Sequence, residues 1–129
     1  MNPAEIIRLA AEDGVKLSLS ATGNIKATGD SAWIAEWTPI LRENKASVLA
    51  ELHRERRRAK VLSMLGNRKY AVLVEDEKAN PVIAAVAIRG IATFELVIPY
   101  HSYNGLVLLE LVEKHCVERF TPKERKHHG

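Results

Sequence analysis

The chain has 129 residues, 47% of them hydrophobic, with 19 Lys and Arg against 16 Asp and Glu, a formal charge of +3 and a pI near 9.1. That length holds one domain or two small ones, the apolar share is that of a globular chain and makes disorder no default, and the mild basicity admits an acidic partner without requiring one. The single cysteine, Cys116, excludes an internal disulfide, no apolar run reaches the roughly 18 residues of a membrane span, and the first residues lack a signal-peptide pattern, so a cytoplasmic protein with no membrane contact is expected.

In chain order, Asn2-Pro3-Ala4-Glu5 reads as a helix start. Asn2 caps, Pro3 suits the first helical position, and Glu5 stands where a capping-box acid belongs. Ile6, Leu9 and Ala10 recur at helical spacing, with Ile7 beside them, until Asp13-Gly14. Val15, Leu17 and Leu19 then alternate with Lys16, Ser18 and Ser20, the period of a half-buried strand. Thr22-Gly23-Asn24 is turn chemistry, and Ile25 to Thr28 returns as a second strand. Gly29-Asp30-Ser31 ends this hairpin and offers a cap to the next helix. The Trp33, Ile34 and Trp37 cluster is expected as a core anchor, because large aromatics dominate small cores. Thr38-Pro39 reads as the restart of another helix, with Leu41, Val48, Leu49 and Leu52 as its apolar stripe and Ile40 at the flank.

From His53 to Arg58 there is no apolar residue, and the stripe resumes only at Ala59, Val61, Leu62 and Leu65. The lapse marks a boundary between two small units. After Gly66-Asn67, Tyr70 to Val74 is a strand and Glu75 to Asn80 a polar turn. The longest apolar run, Pro81 to Pro99, is too β-branched for a helix and is divided by Arg89-Gly90 into two strands. Ser102 or Asn104 caps a last helix with Leu106, Leu108, Leu109, Leu111, Val112 and Cys116 on its face. The expected fold is α+β: a helix–hairpin–helix–helix unit over residues 1–53, a basic helical linker over 54–66, a three-stranded antiparallel meander covered by a C-terminal helix over 67–118, and a flexible basic tail over 119–129. So apolar a hairpin predicts helix cover together with self-association, most simply as a homodimer.

The sharpest charge feature is the basic run at residues 53–60. On a helix Arg54, Arg57 and Arg58 share a face, with Lys60 close behind, spaced to meet neighbouring phosphates, and the tail adds Arg119, Lys123, Arg125 and Lys126. A solvated helix face accounts for the same residues, and nothing resembles a base-reading helix-turn-helix or an aromatic stacking motif. His115-Cys116 and His127-His128 are adjacent pairs without zinc-site spacing, so neither a metal nor another cofactor is expected. Cys116 with His115 and His101 invites a nucleophile reading, but a lone cysteine on an apolar helix face is usually a small core residue. Glu95 with Thr93 is read as a solvent-facing side of the long hairpin. With no phosphate loop or nucleophile elbow, no enzyme is expected.

Gly14-Val15-Lys16-Leu17-Ser18-Leu19, Gly23-Asn24-Ile25-Lys26 and Lys45-Ala46-Ser47-Val48-Leu49-Ala50-Glu51-Leu52 carry a resemblance. Residues 3–53 resemble the N-terminal docking domain of the TubC type, found at the start of some non-ribosomal peptide synthetase and hybrid synthetase subunits. The resemblance implies a small α/β unit, often dimeric, that captures a short acidic segment of a partner along its hairpin by strand addition with electrostatic selection. Lys16 and Lys26 match the basic hairpin positions. The C-terminal half resembles short bacterial proteins encoded on mobile elements, a likeness that implies no activity. The expected function is a non-catalytic docking or adaptor module for an acidic peptide or protein segment. The alternative is an accessory nucleic-acid-binding protein using the basic helix and tail.

Overall fold

In the computed structural model, which describes residues 1–114, the chain is α+β and separates into two units, Met1–Arg56 and a second beginning at Arg57. Helix α1 (Pro3–Glu12) starts as its sequence dictates. The Asn2 side chain accepts the Glu5 amide at 2.8 Å, and Pro3 has no amide to satisfy. At its end the Val15 amide donates to the Ala10 carbonyl and the Gly14 amide to the Ala11 carbonyl, a Schellman turn that requires Gly14 at a φ of 81°. The turn delivers the chain into β1 (Lys16–Leu19), which pairs antiparallel with β2 (Ile25–Thr28) in the register Lys16–Thr28 and Ser18–Lys26.

Helix α2 (Ser31–Glu43) is capped by Asp30, whose carboxylate accepts the Ala32 amide at 2.9 Å. It does not restart at Pro39. The proline removes one interior donor, but the helix runs on and the Thr38 hydroxyl donates to the Ile34 carbonyl at 2.7 Å. The break comes at Asn44, whose side-chain amide donates to the Ile40 carbonyl while its own carbonyl accepts the Val48 amide that opens α3 (Lys45–Leu65). The first core gathers Ile6, Ala10, Val15, Leu17, Trp37, Leu41, Val48 and Leu52. Trp37 anchors it, and its indole N–H donates to the Asp13 carboxylate at 2.9 Å. Trp33 does not share that role: it is 46% exposed.

In the second unit β3 (Tyr70–Val74), β4 (Val82–Ile88) and β5 (Ala92–Ile98) form an antiparallel sheet with β4 in the middle. One face carries Ala84, Val86 and Ile88 beneath Leu108 and Val112 of α4, which spans residues 105–114 of the described chain. Asn104, not Ser102, caps α4, its carboxamide oxygen accepting the Leu106 and Val107 amides; Ser102 lies in a 3₁₀ turn, Tyr100–Ser102. The other face carries Ala71, Ala85 and Ala87 beneath Val61, with Leu65 against them. The division between units thus falls within α3, and Val61 and Leu65, from the segment expected as a linker over 54–66, pack in the second unit. Both faces of the sheet thus have a helix against them, α4 on one and α3 on the other. The expected tail over 119–129 lies outside the described residues.

Gly29 ties the hairpin to the end of α1. At its φ of 149° a side chain is strained, and a Cβ there would overlap the Gly14 carbonyl oxygen, a backbone atom that cannot swing aside. Gly29→Ala should therefore destabilise the protein by about 1–3 kcal/mol in chemical denaturation, as overpacking does elsewhere.

Candidate functional site

Antiparallel partners point to the same side of a ribbon. The register Lys16–Thr28 and Ser18–Lys26 consequently places both lysines on one face of the β1–β2 hairpin, diagonal to each other and about 7–8 Å apart at the backbone. That face is exposed at Lys16, Lys26 and Thr28, while Leu17 and Leu19, with Ile25 and Ala27, turn to the core. Neither lysine forms an ion pair among the described residues. Among the described residues this sheet has two strands, so each has one edge with no neighbouring strand.

Beside β2 lies a cleft of about 270 Å³ floored by Ile25, Ala27 and Leu41, with Arg42 and Lys45 at its rim. Its walls come from β2 and the α2–α3 junction, with no β1 residue among them. Arg42 and Lys45 were not legible as site residues. They are exposed cations at the junction of α2 and α3, more than ten residues from the strands, and only packing brings them to the hairpin.

The α3 cations are not one group. Arg54 is 64% exposed and lies 3.7 Å from Glu51, one turn back on the same helix. Lys60 lies 3.8 Å from Glu75. Arg58 is exposed and unpaired among the described residues. Arg57 faces the sheet instead, four residues before Val61 and eight before Leu65 on one helical stripe. There its Nε and Nη2 donate to the two oxygens of Glu95 at 2.6 and 3.0 Å, with the two side chains 17% and 19% exposed. This fork-to-carboxylate geometry is the strong form of an ion pair. The Glu95 hydrogen bond raises the Arg57 pKa above its ordinary value, so the guanidinium stays charged. Glu95 is therefore not a solvent-facing side of the hairpin; it is the counter-ion of α3.

Arg119, Lys123, Arg125, Lys126, His115, Cys116, His127 and His128 lie outside the described residues. Among the described residues no three His, Cys, Asp or Glu side chains converge as metal ligands, and no helix is long and apolar enough to cross a membrane. No protein-family model, curated protein or solved structure matches this chain.

Removing one member of the Arg57–Glu95 pair leaves a half-buried charge without its partner. Arg57→Ala should cost about 2–4 kcal/mol in urea denaturation, a little under a fully buried pair because both groups keep some water. The double replacement Arg57→Met with Glu95→Leu should regain most of that loss, since it removes both charges and fills the site.

Proposed function

We propose that the first unit is a non-catalytic docking module, acting in the cytoplasm, that takes up a short acidic peptide segment along the β1–β2 hairpin. The observation that carries the reading is the pairing of an open strand edge with unpaired cations around it. Lys16 and Lys26 stand on the outer face, and Arg42 and Lys45 rim the apolar cleft on the inner side of β2. A strand added beside β2 would alternate its side chains between those two faces. One set would enter the cleft over Ile25, Ala27 and Leu41, and acidic groups on either set would meet a cation. Backbone hydrogen bonds would supply affinity and the charges selectivity, as in other strand-addition sites. The resemblance of residues 3–53 to TubC-type docking domains supports the same reading. The nucleic-acid alternative is weakened, because Arg54, Arg57 and Lys60 already face carboxylates and Arg57 is turned away from solvent.

The test is a titration with a ten-residue peptide alternating valine and glutamate, followed by calorimetry and by amide chemical shifts. Binding should perturb residues 24–28 and weaken steeply as salt is raised. Lys16→Glu with Lys26→Glu should reduce affinity at least about tenfold, or roughly 1.4 kcal/mol. If the double variant binds the peptide as tightly as the parent does, the hairpin is not the docking surface.

A further inference from the structure

We propose that β5 is a homodimer interface, at which two copies of the chain pair their β5 strands antiparallel and extend the three-stranded sheet to six strands. The inference concerns the second unit and does not depend on the docking role of the hairpin.

Among the described residues β5 is an edge strand of seven residues, Ala-Thr-Phe-Glu-Leu-Val-Ile, paired to β4 on one side only. Natural edges are usually blunted by lysine, proline, a bulge or shortness, because an open row of amides and carbonyls invites another strand. β5 has none of these: its register with β4 is unbroken from Ala92 to Ile98, and it contains neither lysine nor proline. Its one charge, Glu95, is held by Arg57 of the same copy. The opposite edge, β3, is two residues shorter and flanked by Lys69 and Glu75.

Among the described residues the surface beside β5 is apolar and partly exposed. Phe94 stands opposite Val86 and Leu96 opposite Ala84, on the face that α4 covers with Leu108 and Val112, yet Phe94 remains 39% exposed and Leu96 36%. Leu109 lines the cavities on the β3 side of α4 with Val72, so the flank of α4 bearing Val107 and Leu111 turns toward β5. Those two are 48% and 59% exposed. Phe94, Leu96, Val107 and Leu111 thus form an apolar strip along the open edge, of the kind that marks an interaction site.

A second copy fits this strip better than other occupants. The strip carries no net charge, so a charged partner gains nothing from it. The sequence of residues 115–129 offers only Cys116, Val117 and Phe120 as large apolar side chains to cover it. A second copy brings an identical strip, and an isologous two-fold pairing is the simplest way to satisfy it. With the axis through Glu95, parity keeps like faces together. Phe94 then lies opposite Leu96 of the partner subunit, a cross-strand apolar pair. The two Glu95 side chains meet at the axis, but each is already neutralised by its own Arg57.

Sedimentation or light scattering on the full chain should show a dimer at micromolar concentration. Leu96→Lys, which adds the usual edge-blunting charge at a solvent-accessible position, should raise the dimer dissociation constant at least about tenfold. Its circular dichroism spectrum should stay that of the parent. Lys16→Glu with Lys26→Glu should leave the dimer intact. Hydrogen exchange on the unaltered protein provides a measurement free of folding defects: amides of residues 92–98 should gain protection as concentration rises. A chain that stays monomeric at high micromolar concentration, a dimer untouched by Leu96→Lys, or β5 exchange independent of concentration would each overturn the proposal.

Discussion

Strand β4 buries Val82, Ala84, Ala85, Val86, Ala87 and Ile88, so both of its faces are closed to water and the sheet needs a helix on either side. That need shapes the second unit. α4 supplies one cover through Leu108 and Val112, and α3 supplies the other through Val61 and Leu65. The two faces are built differently. Toward α4 the sheet offers Val72, Val86 and Ile88; toward α3 it offers Ala71, Ala85 and Ala87, whose short side chains let Val61 reach the strands and become fully buried. One turn before Val61, where an apolar residue would continue the stripe, α3 has Arg57. Its charge is tolerable there only because Glu95, the β5 neighbour of Ala85, points at it from the same face.

The first unit is held by separate means. Its core is anchored by Trp37 and closed by the Schellman turn at Gly14, against which Gly29 packs so closely that no side chain fits. These contacts fix the start of β1 and the end of β2, and so the register that brings Lys16 and Lys26 to one face. The functional reading therefore rests on backbone geometry set by two glycines and one buried indole. Among the described residues Lys16 and Lys26 take part in no ion pair.

Element boundaries were largely legible because local chemistry determines them. Asn2, Asp30, Gly14 and Gly66 act within a few residues of themselves, and the alternation of Val15, Leu17 and Leu19 can only be a strand with one face buried. Pro39 misled because its signal is also local. A proline ring removes one helical hydrogen bond but does not forbid a helix when packing on both sides of it, here Trp37 and Leu41, holds the turn in place. The apolar lapse at residues 53–58 lies where the chain divides between Arg56 and Arg57, yet the helix runs through it without a gap. α3 carries one short stripe for each unit, Val48 with Leu52 and Val61 with Leu65, and a single periodicity cannot describe both.

By itself the sequence determined the α+β class and the kind of each segment, because periodicity and turn chemistry act over a few residues. Tertiary structure alone decided which charges are free. Arg57 and Glu95 are 38 residues apart in sequence, and nothing local distinguishes this arginine from Arg58 beside it. Only the packing of α3 on the sheet commits one to an ion pair and leaves the other in water. The same holds for Arg42 and Lys45, which reach β2 through packing alone.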